Sequence, residues 1–521
     1  MKVRDLLPYI VLLATTAVYG CSITRSPAMV KKSTLILKEG EPLSQQMTHE
    51  NFVYVINSDL DLEGNIAIIP KNCTLKFKRG SVRNGTLVGN DTYVELKRRS
   101  TVFKDVMLKG SFKAAEFPIN AYRSNRLECF YGFIQAFSGT ALYLTDDYSV
   151  MTFDGESDCT SPSSIQIDGR GHKLTLYSFG AYRVKQVNIK NITIDCRHNI
   201  DPKNKWKSDR FTFGIVGSFE SSIMTLTNIS FSKETGFSYI RGFKSLEISQ
   251  CKEDGCYFFV YDCNEVSFHH NRIVNAEKGY CSIGRMTDEG HVKIYDNTFK
   301  NIFGGGAILT GGLKYNVSII NNLFVRVGKG GATESCVNIH PRGNIIVRDN
   351  RILANKGAST LDIDAASDNY FSDETRVSID NNEIESVEGD ASLHGMALVG
   401  IARLYIKNNS LKNQHFYFWD TPYMEFTGNT MEFSEGFDNS TEIGWMSTHK
   451  TTERKDYIHV FKNNVFNIPN SKGTMHFRYL SKVPVKVTGE GNRHSEQVEF
   501  MDQNKKLRIS GDVKIYKNQS N

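Results

Sequence analysis

The phrase apolar–x–x–Asn–x–apolar returns along the second half of the chain, with polar residues and glycines between its copies. It runs from Phe268 to Ile273 around Asn271, from Ile294 to Phe299 around Asn297, and from Ile319 to Phe324 around Asn322. Further copies are Val347 to Ile352 around Asn350, Ile379 to Ile384 around Asn382, and Ile406 to Leu411 around Asn409. Phe426 to Met431 around Asn429 and Phe461 to Phe466 around Asn464 complete the series, at intervals of 20 to 35 residues. A unit of that length cannot bury its own apolar face, so units must stack. Within each unit Val, Ile and Phe alternate with polar residues and are broken by Gly and Asn, which is strand grammar. Helical periodicity is missing.

The expected fold is all-β: a single-stranded right-handed parallel β-helix, with a strand-rich N-terminal section and one short helix. Asparagine amides at one corner can hydrogen-bond from coil to coil, each bond worth about 0.5–1.5 kcal/mol net. The competing architectures are a β-sandwich and a propeller, whose blades usually carry Trp-Asp or Gly-rich signatures near a 40-residue period. Four segments are expected: 1–20 a signal peptide, 21–125 the first coils, 126–495 the main stack, and 496–521 a cap or tail. Alternation in the first coils is clearest at Asn65–Ile69, Thr74–Phe77 and Thr86–Val88, and Leu127–Phe137 reads as the amphipathic helix. The end segment carries a strand, Val513–Tyr516, suited to covering the last coil.

The chain begins with Lys2 and Arg4 before an apolar run from Leu6 to Val18, too short to span a membrane comfortably. The step Val18-Tyr19-Gly20-Cys21 resembles the bacterial lipobox, which implies lipidation of Cys21 and an outer-membrane lipoprotein facing the periplasm or the cell surface. Ser22 rather than Asp follows the cysteine, which supports the outer membrane. The nine cysteines beyond Cys21 have scattered spacing and give no disulfide framework. Cys256, Cys281 and Cys336 fall near the start of one strand in different coils, where small side chains can stack. A formal charge of +6 over 521 residues, without a long basic run, argues against nucleic acid.

Two passages carry a family resemblance. Ile69-Pro70-Lys71-Asn72-Cys73-Thr74-Leu75-Lys76-Phe77 with Gly80-Ser81-Val82-Arg83-Asn84-Gly85-Thr86 resembles the opening of exported β-helix proteins of Bacteroidota. Ile167-Asp168-Gly169-Arg170-Gly171-His172 is similar to the segment that opens the main helix of the pectate-lyase-like superfamily. That superfamily includes polysaccharide lyases and polygalacturonase-like hydrolases, so the resemblance implies carbohydrate-active chemistry. The hydrolase motifs Asn-Thr-Asp, Asp-Asp and Gly-His-Gly in successive coils are missing here, as is the lyase Arg-x-Pro-x-x-Arg. Fold does not dictate function, so a site must be argued from residues.

The strand after each Asn corner places alternate residues on the outer face. One expected outer column reads Ser282, Asn338, Asp362, Ala397, Tyr417 and His476; the other reads Gly284, His340, Asp364, Val399, Trp419 and Arg478. Asp362 and Asp364 would have Cβ atoms about 6.5–7 Å apart. That falls within the roughly 6.5–9.5 Å between carboxyls of inverting glycosidases. Like charges so close raise one pKa, giving an acid and a base. His340 would stand beside Asp364 and modulate it, with Glu334 and Asp288 in reserve for the second carboxyl role. Tyr417 and Trp419 suit a sugar platform, while Asn338, Arg342, Arg285 and Arg478 would contact the substrate. Outward aspartates on a solenoid are also commonly just solvated.

The expected activity is therefore glycoside hydrolysis on a polysaccharide or oligosaccharide, by a monomer held to a membrane through its anchor. No cofactor is expected for it. A polysaccharide lyase acting on a uronate glycan would instead take its base from His340, Arg342 or Arg285. It would use calcium, with Asp362, Asp364 and Asp368 as candidate ligands. A non-catalytic glycan-binding or adhesin-like lipoprotein would bind sugar without turnover. Two polar loops, Ala365 to Thr375 and Ser447 to Asp456, would wall the cleft.

Overall fold

The computed structural model describes residues 32–97, 100–153, 160–197, 213–219, 221–232, 237–255, 257–276, 282–284, 289–302, 307–310, 314–328, 335–340, 343–354, 359–365, 372–386, 395–434, 440–443, 457–468, 475–479, 483–494, 498–502, 505–513 and 515–516. The leader, Cys21, Cys256 and Cys281 lie outside them, so the anchor and two of the three stacked cysteines stay expectations. Among the described residues no helix is long and apolar enough to cross a membrane.

The chain is mostly β, in long parallel sheets. Each coil of the main stack supplies a strand before the Asn corner, a strand after it, and a third strand in a separate sheet. One coil, for example, gives Glu265–His269, Arg272–Val274 and Ser282–Gly284. They pair in parallel with Glu289–Tyr295, Thr298–Ile302 and Ala307–Thr310 of the next coil. The third strands form a 14-stranded sheet from Phe179–Val184 to Ile515–Tyr516. Parallel pairing from coil to coil disfavours propeller blades and sandwiches, which are antiparallel. Side chains alternate: Val292, Ile294, Val317 and Ile319 are fully buried while their neighbours face out. An N-terminal sheet, from Thr34–Ile36 to Tyr122–Arg123, is built the same way, and one apolar core runs from Leu37 to Val513.

The asparagine corner is a hydrogen-bonded column. The backbone N–H of Asn271 donates to Oδ1 of Asn297 at 2.9 Å, and Asn297 in turn donates from N–H and Nδ2 to Oδ1 of Asn322. The pattern passes through Asn350, Asn382, Asn409, Asn429 and Asn464. It extends beyond the eight expected residues at both ends. Cys251 donates its N–H to Asn271 at the head, and Asn464 donates to Asn492 at the foot. Asn492 then donates its backbone N–H and its Nδ2 to the carboxylate of Asp512, at 2.7 and 2.9 Å, and Nδ2 also to the Phe461 carbonyl. Immediately before these residues the backbone turns left-handed, at His270, Asp296, Asn321, Asp349, Asn381, Asn408, Gly428, Asn463 and Gly491. Asn, Asp, His and Gly tolerate that conformation best, so the corner constrains two consecutive residues.

The expected helix is Leu127–Ala136, with Phe130 and Phe133 buried and Tyr122 stacked on Phe133 at 4.6 Å. A four-residue helix, Leu43–Gln46, and a 3-10 turn, Ile119–Ala121, add to it. The terminal strand is shorter than expected, Ile515–Tyr516, and pairs with Phe500 and Met501. The described cysteines Cys73, Cys129, Cys196, Cys251, Cys263 and Cys336 are buried and form no disulfide with one another. Burial pushes the thiols of Cys251 and Cys263 up to about 12, which leaves them unreactive.

One column residue breaks the apolar rule. Glu253 lies in register between Phe231 and Ile273, 1% exposed, and neither carboxyl oxygen has a hydrogen-bond partner among the described residues. Burial drives its pKa well above the usual carboxylate range, so the folded state keeps it neutral. A folded pKa above the unfolded one means stability is highest at low pH and falls as pH rises above the unfolded value. Glu253→Met is expected to stabilise the protein by on the order of 2 kcal/mol at neutral pH, since an unsatisfied buried polar group costs about 1–3 kcal/mol. Urea midpoints at pH 5 and pH 8 check it. The gain should be larger at the higher pH, and equal gains would show that the acid is not held neutral.

Candidate functional site

Asp362 and Asp364 stand on the strand Leu361–Asp364. Leu361 and Ile363 are fully buried, so the period of two turns both carboxylates to the outer face, where they are half-buried. The rung is tied in place just before them. Thr360 donates its N–H to the Gly395 carbonyl and its hydroxyl to Oε1 of Gln414. A side chain at Gly395 would come within 2.8 Å of that same Gln414 oxygen, so the packing there needs glycine.

Burial first, and the neighbouring Asp364 second, push the pKa of Asp362 up to about 6. A carboxyl poised there can give a proton near neutral pH.

Register places the other candidates. Asn338 pairs with Asp362, Asp362 with Ala397, and Ala397 with Tyr417. Asp364 pairs with Val399, and Val399 with Trp419. His340 follows Ile339, the partner of Ile363, and is half-buried one position past the strand end. The rings of Tyr417 and Trp419 lie 4.2 Å apart between centroids, tilted by 46°. On this face Oδ1 of Asn338 and Nε1 of Trp419 are buried without a hydrogen-bond partner among the described residues. One is an acceptor and the other a donor.

The expected columns are corrected. The outer column is not Ser282 followed by Asn338, because Ile308 stands between them in register and Thr310 follows Gly284 in the second column. Tyr417 is followed by Glu442, on a strand Ser440–Ile443 outside the expected columns. Glu442 then pairs with Arg478, so Arg478 belongs to the column of Asp362 rather than that of Asp364, and His476 pairs with Ser440 instead of joining Tyr417. The missing strand lies in the polar run Glu435-Gly436-Phe437-Asp438-Asn439-Ser440-Thr441-Glu442-Ile443. Its alternate residues Thr441 and Ile443 include only one apolar side chain, too weak an alternation to register as a strand from sequence.

Glu334, Arg342, Arg285, Asp288 and Asp368 lie outside the described residues, as do most of the two loops expected to wall a cleft. The third candidate calcium ligand is thus not placed. Among the described residues, the group with metal-ligand spacing is Asp146, Asp147 and His172, and Asp362 and Asp364 belong to no such group. Set beside known proteins, the chain matches no family model, no curated protein and no solved structure.

Proposed function

We propose that the parallel stack is a right-handed β-helix of the pectate-lyase-like kind, and that it hydrolyses glycosidic bonds in a polysaccharide. The observation that carries this reading is Asp362. Its carboxyl is raised to about 6 beside a second carboxyl, on a face with an aromatic pair. Asp362 would protonate the leaving oxygen while Asp364, two positions along the strand, takes the proton of an attacking water. Cβ atoms two residues apart on one strand stand about 6.5–7 Å from each other. Carboxyls roughly 6.5–9.5 Å apart leave room for that water and give inversion. Tyr417 and Trp419 would hold a pyranose ring two rungs on, about 10 Å away. His340 would orient the Asp364 carboxylate. Export and anchoring through Cys21, with the site exposed to glycans outside the cytoplasm, fit the same reading.

The test is a panel of polysaccharides incubated with the purified protein, with new reducing ends and ultraviolet absorbance read together. Hydrolysis gives reducing ends without absorbance. An absorbing, unsaturated product would mean elimination instead, and retention of a glycan without either signal would mean a binding protein. For a hydrolase, kcat/KM should fall as pH rises through about 6, because the acid must be protonated.

A further inference from the structure

We infer that the same outer face carries a second sugar-binding platform, four to five rungs before the carboxylate pair, so that the protein engages a long pyranose polymer. This inference rests on the functional reading above for the chemical class of its ligand. The register runs without a break from Tyr239 to Phe259, Ser282, Ile308, Asn338, Asp362, Ala397 and Tyr417. At a strand spacing of about 4.8 Å, those seven steps span roughly 34 Å. Aromatic rings occupy both ends of the run, with the carboxylates between them.

The far end is a cluster of rings with a charged pair. Tyr239 and Tyr261 lie 5.5 Å apart between centroids, and Phe259 stacks with Tyr261 at 6.0 Å and 13°. All three point outward and are half-buried. Arg241, on the same strand as Tyr239, bonds Oδ2 of Asp262 at 2.7 Å. An ion pair at a surface offers hydroxyl groups both donors and an acceptor, while neighbouring rings offer apolar faces to C–H bonds.

Phe219 completes the cluster and is an independent sign of function. It is 44% exposed, and its backbone is left-handed at φ 65°, which a bulky residue rarely adopts. Its ring lies 5.9 Å from the Arg241 guanidinium and covers Gly242, where a side chain would meet the ring at 3.0 Å. A strained backbone that holds an exposed ring beside a charged pair is a cost more often found at ligand sites than elsewhere.

Native gels cast with polygalacturonate, xylan or mannan test the platform, each compared with a gel lacking polymer. Wild type should be retarded by at least one polymer. Tyr239→Ala combined with Tyr261→Ala should weaken that retardation about tenfold, with an unchanged melting temperature. The double Phe variant, which keeps both rings, should bind within twofold of wild type. If the alanine variant melts early, Phe219→Leu on its exposed turn serves in its place and should weaken retardation severalfold. Undiminished retardation of these variants, or no retardation of wild type in any of the three gels, overturns the platform. Reducing ends released from the same polymers are read separately. Retardation without release leaves the platform standing and removes the hydrolase, whereas release that the variants do not alter does the reverse.

Discussion

Asp362→Asn and Asp364→Asn should each lower turnover of the cleaved polysaccharide by about 10²–10⁴-fold, the usual contribution of a positioned acid or base. Binding should change little, because neither amide substitution alters shape. The two losses should differ in their pH dependence. Wild-type kcat/KM should decline as pH rises through about 6, since Asp362 is the group that burial and its neighbour raise. Asp362→Asn should lose that descending limb along with most of its rate. Rates, reducing-end release and gel retardation measured on one preparation check all of this. A near-normal rate in either variant removes that residue from the mechanism, and a descending limb that survives in Asp362→Asn assigns the proton to another group.

The second large effect concerns the asparagine column. Asn350 accepts from the N–H and Nδ2 of Asn322 and donates to the carbonyls of Ile319 and Arg348 and to Oδ1 of Asn382. All of these partners are backbone or amide groups inside the stack, and Asn322, Asn350 and Asn382 are each 2% exposed. Asn350→Ala removes the side chain and leaves several of them unsatisfied, at about 1–3 kcal/mol for each group that water cannot reach. A loss on the order of 4 kcal/mol is expected, read as a lower urea midpoint. Asn350→Asp should be no better at neutral pH, because it supplies acceptors where donors are needed and buries a charge. Asp512→Asn, at the half-exposed foot of the column, should cost about 1 kcal/mol or less. Alanine at 350 within 1 kcal/mol of wild type would mean the column is decorative rather than structural.

These two sites differ in how far they could be read from the chain alone. The corner was legible because two constraints fall on adjacent residues: a left-handed backbone at Asp349 and a buried amide at Asn350, with Val347 and Ile352 packing on either side. Few residue types satisfy either constraint, so the phrase repeats almost unchanged. The foot of the column was not legible. Around Asn492 the flanking positions are Gly489 and His494, and the next member is an aspartate rather than an asparagine. Gly489 is required there, since a side chain would lie 2.3 Å from Oδ1 of Asp512, but that constraint appears only in three dimensions.

For the outer face, alternation was enough to turn Asp362 and Asp364 outward, because Leu361 and Ile363 are unmistakably apolar. Long-range register was not readable, because it requires every rung to be counted. Missing Ser440–Ile443 shifted Arg478 by a column, and omitting the Ala307–Thr310 rung from the columns hid Ile308. The rings of Tyr239 and Tyr261 carried no signal at all, as aromatic residues in a strand-rich sequence are ordinary. Only pairing from strand to strand aligns them with a pair of carboxylates about a hundred residues away.

Asp512 also gives the column a direction. Each asparagine hands its backbone N–H to the next one toward the C-terminal end, while its amide also reaches back to a carbonyl of the preceding coil, and the last acceptor is an anion. A shortened version of this protein is therefore best closed by a terminus of the same type. Cutting after the Asn429 coil while writing Asn429→Asp should yield a shorter rod whose last carboxylate accepts from Asn409 as Asp512 does from Asn492, whereas the same cut with asparagine retained leaves one amide N–H facing water and the other still bonded to the Ile406 carbonyl. Length in such a scaffold is adjustable by whole turns, provided the final letter is changed with it.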